Sequence, residues 1–241
     1  MDKHYRKRRL VAVVFSMFLF CFVIFANTPR QEVGRENVIS NSEAVEGEVL
    51  SSTDSRLAIN ALGKLSIRGR APKTGYSRDE FGSGWITKSG CDTRNIILNR
   101  DLSEVKSDEQ CRILSGDLND PYTGETINFV RGTDTSGDVQ IDHVVALGDA
   151  WQKGAQQLTK ERRIELANDP LELLAVDGDS NLVKSDGDAA TWLPPNKAFR
   201  CQYVARQIAV KQKYSLWVTQ AEYEAIKATL NNCPAQILPN P

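Results

Sequence analysis

The chain is poor in histidine, and that scarcity constrains every chemical reading of it. Its 241 residues include two, His4 and His143, so any general-base work by imidazole in the body of the chain falls on His143. Cysteine is sparse as well: five residues, no two in Cys-x-x-Cys spacing, which disfavours a zinc knuckle. An excess of basic charge is missing. The formal net charge is −1, and residues 1–26 hold five Lys/Arg against one acid, so the remainder carries 25 basic and 30 acidic residues, a net −5. That balance counts against a protein that coats nucleic acid indiscriminately, whose affinity would come from neutralising many phosphates. It leaves room for a metal ion and a local basic patch that hold one phosphate. No internal repeat is visible.

What is there begins with a leader. Lys3, Arg6, Lys7, Arg8 and Arg9 precede an uncharged apolar stretch of 17 residues, Leu10 to Ala26. That length lies between a signal-peptide core and a spanning helix of about 20 residues. Ile24 and Ala26 would occupy the −3 and −1 positions of a cleavage site, although Ile24 is large there; Phe18-Leu19-Phe20 before Cys21 is too bulky for a lipobox. Residues 1–26 are therefore expected to be a signal peptide or N-terminal membrane anchor, touching the membrane at least during export. Residues 27–52, polar and acidic, are expected to be a flexible linker. The expected domain is 53–233, enough for one core and too short for two, with 234–241 as a tail. The protein is expected outside the cell or on the outer face of its membrane, as a monomer. Without Cys21 four cysteines remain, and an even count in an exported chain predicts disulfides. Proximity favours Cys91–Cys111 and Cys201–Cys233.

Leu57, Ala58, Ala61, Leu62 and Leu65 have helical spacing, so a helix over 55–66 should open the domain. Gly69 to Gly84 reads as a surface loop ending on Trp85 as an aromatic anchor; Thr93 to Leu102 has no clear pattern. Short strands are expected over 112–114 and 126–130, separated by the turn Asp120-Pro121-Tyr122-Thr123-Gly124. A strand over 139–145, helices over 147–155 and 159–167, a strand over 171–176 and a helix from about Ser180 follow. Beyond the connector Trp192-Leu193-Pro194-Pro195-Asn196, two helices, about 197–214 and 219–231, close the domain.

His143 sits in Val139-Gln140-Ile141-Asp142-His143-Val144-Val145, directly after Asp142, and Asn181-Leu182-Val183-Lys184 follows on the later helix. A lone Asp-His pair is more often a satisfied structural histidine than a site. Strand, insertion, strand and short helix, however, is the arrangement of a ββα-metal site, in which a carboxylate and an amide oxygen hold a hard cation such as Mg²⁺, Mn²⁺ or Ca²⁺. A neutral imidazole beside them takes a proton from water. One difficulty stands: adjacent strand residues point to opposite faces, so Asp142 and His143 converge only where the strand bends or ends.

These residues carry a resemblance. Ile141-Asp142-His143-Val144-Val145, Asn168-Asp169-Pro170-Leu171-Glu172-Leu173, Asn181-Leu182-Val183-Lys184 and Trp192-Leu193-Pro194-Pro195-Asn196 are similar to segments of the secreted HNH endonuclease family proteins of Gram-positive bacteria. Their nuclease core resembles the C-terminal domain of GmrSD-type restriction endonucleases. Cys91-Asp92-Thr93-Arg94-Asn95 and Asp120-Pro121-Tyr122-Thr123-Gly124 belong to the same likeness, which spans about 55–233. It implies an α+β fold, one domain around a ββα-metal (HNH-like, His-Me finger) core with flanking helices. It also implies an endonuclease acting on nucleic acid, DNA first and RNA as an alternative, with one divalent cation. Asp142 and Asn181 become the metal ligands and His143 the base. The residue that orients His143 is the departure: position gives Glu172, where the family has Asn, and Asn168 is the nearest asparagine. The main rival is a catalytically inactive cell-surface binding protein that keeps the fold.

Further residues have ordinary roles as alternatives. Lys184 is a candidate for contact with substrate phosphate, with a solvated helix face as the equal alternative. Arg200, a second candidate for substrate contact, belongs with Arg206, Lys211 and Lys213, which would guide nucleic acid along the C-terminal helix but read better as surface charge. Asp177, Asp179, Asp186 and Asp188 read as solvated turns rather than a calcium loop, and Trp151, Trp192 and Trp217 as core anchors rather than base-stacking platforms.

Overall fold

Period-two burial along Leu173-Leu174-Ala175-Val176 defines the centre of the molecule. In the computed structural model, which describes residues 56–133 and 135–239, Leu173 and Ala175 enter one apolar cluster while Leu174 and Val176 enter another. A strand buried on both faces can only be a partition between two cores. Residues 1–55, which include the expected leader and linker, lie outside the described residues, as does the cysteine at position 21.

The partition is an antiparallel pair. β6 (Val139–His143) and β7 (Leu173–Asp177) run in register from Val139 against Asp177 to His143 against Leu173. On one side lie α2 (Thr93–Asp101) and the antiparallel sheet β3 (Leu102–Ser107), β4 (Ile113–Asn119) and β5 (Thr126–Val130), with Ile97, Leu98, Leu118 and Phe129 in the smaller core. The larger core on the other side is helical. It is built from α1 (Ala58–Leu62), α3 (Leu147–Gln152), α4 (Lys160–Ala167), α6 (Arg200–Lys213) and α7 (Gln220–Leu230). A two-residue hairpin, β1 (Thr87–Lys88) with β2 (Cys91–Asp92), leads into α2, and α5 (Gly178–Lys184) follows β7 without a loop. The architecture is mixed α and β within one compact unit.

Local chemistry accounts for the elements. Asp92 caps α2 through Asn95 N at 2.8 Å, and the Asn95 side chain takes Ile113 N and Arg131 Nη2 on its Oδ1. The Cys-Asp-Thr-Arg-Asn run is thus a capped helix start that also anchors β4. Thr159 and Thr219 cap α4 and α7. The free edge of β7 is covered rather than exposed: Asp101 Oδ2 accepts from Ala175 N, and Arg100 and Arg206 donate to the carbonyls of Pro170, Leu171 and Leu173. Disulfides join Cys91 to Cys111 and Cys201 to Cys233; the second ties the start of α6 to the end of α7.

Several expectations need adjusting. The opening helix is short, five residues, and Thr93–Asp101 is helical. β3 had no signal, because its burial is irregular and mostly exposed and its register slips between Ser103 and Lys106. Within the expected tail, Gln236 O accepts from Ala58 N and Leu238 N donates to Arg56 O. Among the described residues no helix is long and apolar enough to cross a membrane.

Candidate active site

β6 ends at His143, and the pleat sends its last two side chains apart. Asp142, 4% exposed, turns toward the larger core, where Tyr122 donates its hydroxyl hydrogen to Asp142 Oδ2. Lys184, at the end of α5, places Nζ 2.9 Å from Asp142 Oδ1 and 2.8 Å from the His143 carbonyl oxygen. Both groups of this ion pair are buried. His143 turns the other way and stacks on Trp85, centroids 5.7 Å apart and planes 11° from parallel. Both residues still line one cleft, with Gln140, Asn181 and Ser185. The end of the strand resolves the difficulty that the pleat posed.

The imidazole is fixed by the backbone. His143 Nε2 lies 3.0 Å from the Ala167 carbonyl oxygen. A carbonyl only accepts, so Nε2 carries the hydrogen and Nδ1 keeps the lone pair. Burial above all, with the positive charges of Arg78 and Lys184 adding to it, lowers the His143 pKa to about 3; the Ala167 bond opposes the shift. The ring is therefore neutral near pH 7.

Neither residue expected to orient the ring bonds to it. Glu172 is fully buried; its Oε2 accepts from Val145 N at 3.2 Å and its Oε1 has no hydrogen bond among the described residues. Burial pushes its carboxyl well above the usual carboxylate range. Asn168 accepts from Ile86 N and donates to Ile164 O, while lining a second cavity that also reaches His143. The role that sequence reasoning gave to a side chain is filled by a main-chain carbonyl one residue before Asn168, a group with no sequence signature.

The turn at 120–124 is the brace behind Asp142. Asp120 Oδ2 takes Thr123 N at 2.7 Å, its other oxygen takes Asp177 N at 2.9 Å, and Gly124 closes the turn at φ +83°. Asn196, from the Trp-Leu-Pro-Pro-Asn connector, donates from its side chain to Pro121 O and from its backbone to Tyr122 O. Tyr122 packs edge-on against Trp192 and Tyr203. Two sequence motifs thus serve to aim one hydroxyl.

Asp177 caps α5 through Ser180 N at 2.7 Å. Gly178 follows because a Cβ there would fall 2.1 Å from Gly137 O. The helix delivers Asn181 to the cleft, where its Nδ2 donates to Gln140 Oε1 and leaves Oδ1 without a hydrogen bond among the described residues. The carboxylate of Asp142 keeps lone pairs beyond its two hydrogen bonds, and Asn181 offers an amide oxygen; both are donor types that suit a hard cation. Among the described residues no three His, Cys, Asp or Glu side chains gather at one point.

Arg200 lies elsewhere. Its Nε donates to Pro194 O, and it lines a separate cavity with Lys197 and Cys201. The four aspartates of 177–188 do not form a loop around one point. Asp177 is a cap, Asp179 is exposed, Asp186 pairs with Lys73, and Asp188 joins Lys153 and Arg70. Lys211 is fully buried against Glu222, and Trp151 and Trp217 are buried.

Residues 92–229 match the family described as GmrSD restriction endonucleases, C-terminal domain. The chain belongs to this family. A relative from Arthroderma benhamiae, named an uncharacterized secreted protein, is 40% identical over 179 residues, covering 73% of this chain and 84% of the relative. Every site residue described above from Asp142 to Asn196 falls inside the span that matches the GmrSD C-terminal domain, whereas Trp85 and Arg78 precede it. The family gives the chain a nuclease-like character.

Proposed function

We propose that this protein is an exported, metal-dependent endonuclease that hydrolyses phosphodiester bonds of DNA, with His143 as general base on an HNH-like ββα core. The observation that carries the reading is the tautomer of His143: Ala167 takes the Nε2 hydrogen, which leaves Nδ1 as a proton acceptor beside a cleft rimmed by Asp142 and Asn181. The family match supports nuclease chemistry, and the name of the secreted relative supports export.

The step is a displacement at phosphorus. A water oxygen forms a bond to phosphorus as the bond to the 3′ oxygen breaks. The water proton passes to Nδ1, and the leaving oxygen takes a proton from solvent. A ring held near pKa 3 is a weak base at rest. An anionic phosphate beside it favours imidazolium and strengthens it when substrate is bound. A divalent cation held by Asp142 and Asn181 would supply charge to the phosphate and the leaving oxygen. Lys184 aligns Asp142 instead of meeting substrate itself, since its side chain is buried against that carboxylate.

One observation favours a second reading. Lys184 already neutralises Asp142, which suits a catalytically silent binding protein of the cell surface. Nicking of supercoiled plasmid with Mg²⁺, Mn²⁺ or Ca²⁺, against an EDTA control, separates the two. Cation-dependent nicking supports the endonuclease; none with any cation supports the silent protein.

A further inference from the structure

Arg78 stands at the junction of the two cavities that meet at His143. It lines the cleft that holds Asp142 and Asn181, and it also lines the cavity walled by Phe81, Trp85 and Asn168. His143 and Leu147 are the other residues that border both.

Its backbone is rigid. Arg78 opens a 3-10 turn, Arg78–Phe81, in which Gly82 N bonds to Asp79 O. Arg163 holds the turn through Glu80, at 3.0 Å to the carbonyl and 2.6 Å to the carboxylate. Phe81 is buried against Tyr76 and Trp151.

Its guanidinium is idle. Among the described residues every other arginine side chain is engaged by a hydrogen bond or ion pair, except Arg68, which lies over the Trp217 ring. Arg78 makes neither a hydrogen bond nor an ion pair there, and it is exposed. Its charge nonetheless reaches the His143 ring. A fixed root with an unoccupied five-donor fork beside a base is an arrangement for an anion with several oxygens.

We propose that Arg78 is the phosphate fork of this site, gripping non-bridging oxygens of the phosphodiester that lies between His143 and the Asp142–Asn181 edge. The inference rests on the endonuclease reading. The equatorial oxygens gain negative charge as the water oxygen adds to phosphorus, so a guanidinium at that position binds the transition state more tightly than the ground state. The planar fork matches two phosphate oxygens at once, which a lysine ammonium does not.

The test compares Arg78→Met and Arg78→Lys with the wild type in plasmid nicking, in melting temperature, and in anisotropy binding of a fluorescein-labelled single-stranded oligonucleotide. For Arg78→Met the fork predicts kcat/KM lower by about 10²-fold or more, the scale seen when one donor to a developing oxyanion is lost. Melting should be unchanged, because no intramolecular contact is removed. Arg78→Lys should restore a minor part of the activity. Arg78→Met within about threefold of wild type in kcat/KM would overturn the proposal, and Arg78→Lys at full activity would overturn the fork. Should the wild type fail to nick, the endonuclease reading falls and oligonucleotide binding still decides Arg78. Affinity lost in Arg78→Met supports a phosphate contact; equal affinity removes it.

Discussion

Lys184 Nζ and Asp142 Oδ1 lie 2.9 Å apart with neither side chain open to solvent. A buried pair of this kind adds little beyond an apolar pair of equal volume, yet losing one partner leaves an uncompensated charge in the core. Lys184→Met is therefore expected to destabilise by about 3–5 kcal/mol, and Asp142→Asn in the same chain to recover part of that loss. Urea titrations of the two variants beside the wild type check it. A Lys184→Met protein as stable as wild type would mean that Asp142 is not held as described.

His143 links stability to pH. Its folded pKa of about 3 lies below the ordinary 6.5, so between these values the unfolded chain binds a proton that the folded chain does not. Stability then rises with pH across that window and is lost as pH falls from about 6.5 toward 3. His143→Gln removes this term. Urea midpoints measured from pH 4 to 7 should show a shallower slope for His143→Gln than for wild type; parallel slopes would contradict the buried neutral ring.

Glu172 has the opposite sign. Burial raises its folded pKa above 4.5, so above that value the unfolded chain releases a proton that the folded chain retains, and stability falls as pH rises. Glu172→Gln keeps an oxygen for Val145 N without the charge. Its stability relative to wild type should improve as pH rises above 4.5, as read by thermal melts. A constant difference would place the carboxyl in contact with solvent.

The Cys201–Cys233 bridge closes a separation of 32 residues between α6 and α7. In the chain-entropy account a loop of that length contributes about 3–4 kcal/mol. Cys201→Ala with Cys233→Ala should lower the urea midpoint by a corresponding amount while leaving the kcat of plasmid nicking near wild type, since neither cysteine lines a cavity that reaches His143. A large loss of kcat in a folded variant would show that the helix pair holds the site in place.

How much of this was legible in the sequence divides along physical lines. The β6–β7–α5 unit was readable because Val139, Ile141, Leu173 and Val176 give apolar strands and Asp177 with Ser180 gives a helix start. Both disulfide pairs followed from proximity. β3 was not readable, since Leu102 to Ser107 exposes most of its side chains and slips register against β4. Within the proposed site, Asp142 and His143 stand out in the sequence by their adjacency. Lys184 was placed on the correct helix but faces inward, which one helical turn after Asn181 did not reveal. The carbonyl of Ala167 carries no side-chain signal, Arg78 sits in an unpatterned loop, and Tyr122 reads in the sequence only as part of a turn. The Pro-Tyr-Thr-Gly turn did mark the place, but only the fold shows what its ring touches.

The central claim is that Nδ1 of His143 is the base. The most direct measurement is the single-turnover rate of supercoiled-plasmid nicking by His143→Ala beside wild type, in Mn²⁺ or Mg²⁺, with circular dichroism confirming that both are folded. The account predicts a rate lower by about 10²-fold or more, in line with general-base contributions. A folded His143→Ala protein that nicks at near wild-type rate would contradict it.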